Sequence, residues 1–332
     1  MAINKSELTQ VSNLSTTILD EVEKAVVGKR RPLEVILAAI YSEGHILIED
    51  LPGLGKTLIA KSLATALGLE FKRIQFTPDL LPTDITGGYI YDRSKSKFIL
   101  RRGPIFANII LADEINRASP KTQSALLEAM QEGQVTLEGE TAFLPNPFVV
   151  IGTQNPIEYE GTFPLPEAQL DRFIARVEIG YPTRTEEIEI IDRRHVRQED
   201  EIKLEQITNA ENLIEISKII ERVYVAPDIE KYIVSLVQET RNHQEVAIGA
   251  SPRGSLALLK LTRAWAAMQG RDHVLPDDVK KFAVPTLVHR LILKPDFWLE
   301  PKAANKIIHD LLNTVPVPVI ETQLTDLVSV IA

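Results

Sequence analysis

One segment limits what this chain can fold into more than any other: Asp50-Leu-Pro-Gly-Leu-Gly-Lys-Thr57. It follows the β-like run Ile46-Leu47-Ile48 and precedes the helical run Leu58-Ile59-Ala60-Lys61-Ser62-Leu63. A Gly-rich loop between strand and helix is the setting of a phosphate-binding P-loop. The loop from Pro52 to Leu58 would cradle a β-phosphate at the helix N-terminus through its backbone N–H groups, those of Gly53, Leu54 and Gly55 among them. Lys56 would neutralise the β- and γ-phosphates, and the Thr57 hydroxyl would ligate Mg²⁺. The pattern G-x-x-x-x-G-K-[ST] fails only at its first position, where Asp50 stands. Asp tolerates left-handed φ better than most residues, so the turn is expected to survive.

The rest of the chain supplies a fold for that loop. Short apolar runs at 45–49, 70–75, 108–112, 148–152 and 176–179 are bounded by Gly, Pro or polar residues. Helical patterns separate most of them. This predicts an α/β core, residues 1–182, on a mostly parallel five-stranded sheet. After Tyr181-Pro182 only helical spacing follows: Leu213/Ile216/Ile220/Val223, Ile229/Ile233/Leu236/Val237 and Leu256/Leu259/Leu261/Ala264. Thr183 and Glu186 have capping-box spacing and open this all-α part, residues 183–332. Alternating Val and Pro over 314–320 predicts extended chain. Trp265 is expected in the core, and Arg193-Arg194 and Lys280-Lys281 on solvated helix faces.

Two further strand ends carry chemistry. Ile109-Ile-Leu-Ala-Asp113-Glu114 is an apolar strand closed by two acids. Asp113 suits Mg²⁺ and Glu114 suits polarising a water for attack on a γ-phosphate. Phe148-Val-Val-Ile-Gly-Thr-Gln-Asn155-Pro156 ends in amides, and Asn155 is placed to hold that water. Ser251 and Pro252 form a helix start. Arg253 then lies in a first turn, where the dipole disfavours a cation, which suggests an anion nearby. Arg172 follows Asp171, so an ion pair within the chain competes with any role in catalysis. Arg117 fits either support of the Asp113-Glu114 loop or an interface. The six His form no spaced ligand set, and the absence of Cys excludes disulfides and thiolate metal sites.

With Asn116-Arg-Ala-Ser-Pro120, Leu165-Pro-Glu-Ala-Gln-Leu-Asp-Arg-Phe173 and Ser251-Pro-Arg-Gly254, these segments resemble the MoxR family of AAA+ ATPases from about residue 20 to at least 295. The resemblance implies a P-loop AAA+ core, an all-α lid, and ATP and Mg²⁺ as ligands. Lys56 and Thr57 match Walker A, Asp113 and Glu114 match Walker B, and Asn155 matches sensor 1. Arg172 matches the arginine finger, and Arg253 matches sensor 2. Val27-Gly28 matches the adenine-packing segment. It implies that ATP sits between core and lid, with Lys56, Asn155 and Arg253 acting in cis and Arg172 in trans. It further implies an insert near 86–98, a hairpin near 134–144, a homo-hexamer, and a protein client with a von Willebrand factor A domain. The expected function is chaperone-like remodelling driven by ATP hydrolysis. A motor related to magnesium chelatase or a DNA helicase is the alternative.

Charge and apolar patterning narrow the setting. The net charge is −9, which argues against a general nucleic-acid binder. Residues 134–144 hold Glu138 and Glu140 and no Lys or Arg, whereas 86–98 hold Arg93, Lys95 and Lys97. No apolar run is long enough for a membrane span, and residues 1–10 lack a signal-peptide core, so a cytoplasmic protein is expected.

Overall fold

The computed structural model describes residues 3–94, 96–137, 139–156, 161–297, 300 and 302–318. Lys95, Glu138 and the end of the Val-Pro run lie outside these residues. The chain begins with α1 (Lys5–Glu23) and α2 (Arg30–Tyr41), then β1 (His45–Glu49), α3 (Lys56–Leu67) and β2 (Phe71–Gln75). A short α4 (Pro82–Thr86) leads into the strands β3 (Gly87–Asp92) and β4 (Lys97–Arg102). Then come β5 (Ile109–Asp113), α5 (Pro120–Glu132), β6 (Gln134–Leu137), β7 (Glu140–Phe143), β8 (Val149–Gln154), α6 (Glu167–Leu170) and β9 (Phe173–Val177). The remainder is α7 (Arg184–Arg197), α8 (Ala210–Ile220), α9 (Pro227–Asn242), β10 (Val246–Ile248), α10 (Pro252–Met268), α11 (Pro276–Leu287), β11 (Ile292–Leu293) and α12 (Ala303–Thr314).

Five strands form one sheet in the order β2-β5-β8-β1-β9, every pair parallel. Both faces are covered, which is why these strands read as continuous apolar runs. Alternate residues serve two cores. Ile46, Ile48, Ile109, Leu111, Val149 and Ile151 pack against α1, α2, α3 and the helices after Tyr181. Leu47, Ile110, Ala112 and Val150 pack against α5 and the bases of the two hairpins. The last strand begins at Phe173, three residues before the run expected at 176–179. Phe173 is fully buried, and its ring lies 3.2 Å from where a Cβ on Gly152 would be. That packing, invisible in a local apolar count, draws the segment into the sheet.

The two segments set apart by sequence fold as antiparallel hairpins, β3–β4 and β6–β7. Beyond Tyr181 the chain is helical, with one addition: β10 and β11 pair as a short ribbon. Thr183 and Glu186 do form a capping box. Leu256 is largely exposed rather than core. Lys281 is not simply solvated: it pairs with Glu34 at 2.7 Å and lies 3.4 Å over the Trp265 ring, which is only partly buried. Arg193 likewise turns inward, donating to the Glu23 carbonyl at 2.6 Å.

The helical lid is fastened to the rear of the core, at the edge where the parallel strands begin. Asp171, just before β9, accepts from Arg290 Nε at 2.8 Å and from Ser251 Oγ at 2.8 Å. Arg290 is buried and also donates to the Phe173 carbonyl at 2.7 Å. Burial lowers the Arg290 pKa, and the Asp171 charge works against that shift. Removing one partner of such a pair typically costs about 3–5 kcal/mol.

His45, at the first position of β1, is buried between α5 and β8. Its Nδ1 accepts from the Val150 N–H at 3.1 Å, so Nε2 carries the proton and donates to the Met130 carbonyl at 2.8 Å. Burial pushes its pKa down to about 4 from 6.5. As pH falls, the unfolded chain is protonated first, so the stability His45 contributes is complete above about 6.5 and is lost toward 4. His289, also buried and shifted down, acts in the same direction. A His45→Gln variant should lose less stability across this window than wild type, by roughly 3 kcal/mol. Urea midpoints at pH 7 and pH 4.5 would measure it, and parallel curves would contradict the assignment.

Candidate nucleotide site

A parallel sheet gathers the carboxyl ends of its strands at one edge, and ligands of such sheets bind there. Here that edge holds the P-loop after β1, Asp113-Glu114 after β5 and Gln154-Asn155 after β8. These are the groups the sequence singled out, brought together from three separate stretches.

Gly53 and Gly55 have φ of 83° and 79°, which L side chains rarely adopt. A Cβ on either would meet nothing within 4 Å, so the loop surface they leave is open. Gly55 is the N-cap of α3, and the helix dipole points its positive end into that space. Asp50 is not left-handed, contrary to the expectation, and acts through its carboxylate instead. Oδ2 accepts from the N–H groups of Ile179 and Gly180 at 2.7 and 2.6 Å, and Oδ1 from Leu51 N at 2.8 Å. The loop is thereby tied to the chain leaving β9. Lys56 Nζ folds back onto the carbonyls of Asp50 and Gln154. A phosphate in the loop would offer that ammonium a stronger, charge-assisted acceptor.

Thr153 organises the two acids. Its hydroxyl donates to Asp113 Oδ1 at 2.6 Å and accepts from the Glu114 N–H at 2.9 Å. The other Asp113 oxygen pairs with Arg73 at 2.6 Å. Glu114 is left-handed (φ 57°), a conformation that costs of order 1–3 kcal/mol. Its carboxylate is held by Gln75 Nε2 at 2.7 Å and by Arg117 Nε at 3.2 Å. Arg117, undecided from sequence, therefore supports the acidic loop within its own chain. Thr57, at the start of α3, and Asp113 provide the hard oxygen donors that suit Mg²⁺. Asn155 is buried directly after β8. Val27 is buried and Gly28 has φ of 70°. A Cβ on Gly28 would overlap Glu186, so this segment abuts the start of α7.

Arg172 and Arg253 are elsewhere. Both line a cleft of about 280 Å³ with His45, Asp171, Lys260 and Arg290, at the amino ends of β1 and β9. At about 3.3 Å per residue, the five residues of β1 set this cleft about 16 Å from the P-loop. The expected grouping of Arg253 with Lys56 and Asn155 does not occur within one chain, because the lid is fastened at the opposite edge of the sheet. Nor does Arg172 pair with Asp171, whose carboxylate is taken by Arg290 and Ser251. Arg172 Nη1 donates to the Leu127 carbonyl, and its buried Nε has no hydrogen-bond partner among the described residues.

Arg73, Gln75, Thr153 and Arg290 were missed from sequence. Gln75 and Arg73 become relevant only through the β2–β5 register, which sets Gln75 beside Asp113. Asp50 provides a direct test. If its role were only to permit a turn, Asp50→Gly would restore the common motif without harm. We expect instead that Asp50→Gly weakens ADP binding about tenfold or more, the loss expected for hydrogen bonds to a charged acceptor. Calorimetric titration with ADP measures this, and unchanged affinity would refute the anchoring role.

Comparison with known proteins agrees with this geometry. Residues 45–175 match the model of the ATPase family associated with various cellular activities (AAA), and 238–311 match an AAA lid domain. The chain is 48% identical to the uncharacterized protein YeaC of Bacillus subtilis, covering 91% of this chain and 94% of that protein. It is 42% identical to Chaperone MoxR1 of Mycobacterium tuberculosis, covering 90% and 81%. A crystal structure of a candidate ATPase from Cytophaga hutchinsonii superposes with TM-score 0.88 at 40% identity, covering 95% of this chain and 98% of that one. With its phosphate loop, paired acids and lid in this arrangement, the chain belongs to the MoxR family of AAA+ ATPases.

Proposed function

We propose that the chain works as a ring in which ATP, bound at one subunit's P-loop, is completed by Arg172 and Arg253 of the next, and that hydrolysis remodels a protein client. The observation that carries this reading is the separation of the two sets of groups. The P-loop edge holds the phosphate cradle and both acids. The arginines stand at the opposite edge, facing a cleft, and cannot reach their own P-loop. Head-to-tail association with rotational closure brings unlike edges together, and it generates a ring. The relative Chaperone MoxR1 is named for a chaperone role. Six subunits, and a client with a von Willebrand factor A domain, are the number and partner that the family resemblance implies.

Each residue then has a task. Val27 and Gly28 receive the adenine. The amides from Gly53 to Thr57, with Lys56, grip the β- and γ-phosphates. Thr57 and Asp113 would hold Mg²⁺, whose charge would offset that of the phosphate oxygens. Arg73 must release Asp113 for this. Glu114, freed from Gln75 and Arg117, accepts the proton of the attacking water, while Asn155 orients that water. Arg172 and Arg253 from the neighbour stabilise charge on the departing phosphates. The same contact couples hydrolysis to movement of one subunit against the next. Among the described residues no helix is long and apolar enough to cross a membrane.

Glu114→Gln should bind ATP and turn over at least about a hundredfold more slowly. Arg172→Ala should lose on the order of 10³–10⁵ in rate. Mixed together, the two inactive variants should regain turnover, because a Glu114→Gln subunit supplies an intact Arg172 to its neighbour's intact acids. Phosphate release from the mixture measures this. A mixture as silent as its components would end the shared-site reading.

A further inference from the structure

The β3–β4 hairpin leaves side chains to solvent on both of its faces, Tyr91 and Phe98 on one and Ile90 on the other. Its base is rigid: a Cβ on Gly87 would sit 2.1 Å from the Arg101 carbonyl oxygen, and one on Gly103 would sit 2.2 Å from that of Ile85. Its register places Tyr89 opposite Leu100 and Tyr91 opposite Phe98, so these four share one face. Tyr89 and Leu100 pack on the core behind α5. The stripe continues outward into solvent, where Tyr91 is 54% and Phe98 68% exposed, their rings edge to face at 5.3 Å. Ile90 on the opposite face is also exposed. A two-stranded ribbon gains little from displaying such groups, and exposed apolar clusters rimmed by charge mark interaction sites.

Charge singles out the same element. Residues 87–102 hold Arg93, Lys95, Lys97, Arg101 and Arg102 against the single acid Asp92, a net of +4. The whole chain is −9, so the remainder carries −13. Arg93, Lys97, Arg101 and Arg102 are exposed. A concentrated cationic ribbon on an anionic body attracts an acidic partner and holds off a neutral or basic one.

One observation favours polypeptide over nucleic acid: the ribbon is a two-stranded sheet with no further strand paired to it among the described residues. Such an edge offers unpaired N–H and C=O groups that an extended peptide can match.

We propose that the β3–β4 hairpin captures an extended acidic polypeptide segment bearing apolar side chains, with Tyr91 and Phe98 taking the apolar groups and Arg93, Lys97, Arg101 and Arg102 the carboxylates. This rests on the client-remodelling reading and names the chemistry of that client. Seen from a ring, every subunit would present the same ribbon, so weak capture by one copy is multiplied across several.

The test is fluorescence anisotropy of the full chain with ATP, using a labelled peptide of alternating glutamate and leucine, its lysine–leucine counterpart, and labelled oligothymidylate. The acidic peptide should bind at least about tenfold more tightly than the other two. Arg93→Glu/Lys97→Glu and, separately, Tyr91→Ser/Phe98→Ser should each weaken it about tenfold, while basal ATP turnover and the circular dichroism spectrum stay as in wild type. Salt should weaken the acidic peptide's binding and lose its effect in the charge-reversed variant. Equal binding of both peptides, tighter binding of oligothymidylate, or variants that bind like wild type would each overturn the proposal. Absent ATP turnover in wild type would instead overturn the client-remodelling reading, since peptide capture is read without hydrolysis.

Discussion

The ion pair between Asp171 and Arg290, reinforced by Ser251, decides where the helical lid sits, and much else follows from that position. The pair is largely buried, bridges the last core strand to the lid, and leaves Arg290 donating to the backbone carbonyls of Asp171, Phe173, Ile174 and Thr286 besides. A desolvated charge pair of this kind fixes geometry more than it adds stability. The geometry it fixes sets the lid behind the sheet, so the first turn of α10, with Arg253, faces away from the phosphate loop of its own chain. Arg172 is carried to the same cleft by the start of β9. The proposed ring rests on that placement.

At the opposite edge the acids are restrained. Thr153 sits between Asp113 and Glu114, Arg73 covers one Asp113 oxygen, and Gln75 and Arg117 hold the Glu114 carboxylate. Charged groups of this kind interact strongly when they are partly removed from water. In the proposed mechanism, Asp113 would exchange Arg73 for a metal ion and Glu114 would leave its two donors. β2 carries Arg73 and Gln75 and runs into the segment with α4 and the β3–β4 ribbon, so the proposed site and the proposed client surface are joined by a short stretch of chain.

The hairpins show how one sheet serves two tasks. Strands inside the sheet spend both faces on burial and contribute only their ends to chemistry. The β3–β4 ribbon stands outside it, packed on the core at Tyr89 and Leu100, with its outer aromatics Tyr91 and Phe98 exposed.

Local sequence determined the phosphate loop, the acids, the five strands of the parallel sheet and the helix starts at Thr183 and Ser251, because each depends on neighbours a few residues away: a Gly where φ is positive, a hydroxyl three residues before a Glu, an apolar run of strand length. Tertiary structure alone decided what joins distant positions. It set Gln75 and Arg73 beside the acids through strand register, turned Asp50 from a tolerated exception into an anchor for Ile179 and Gly180, and extended the last strand back to Phe173. It also carried Arg253 to the wrong end of the sheet for cis action. Long-range pairing is governed by which side chains meet across the fold, and that information is not contained in any single stretch of chain.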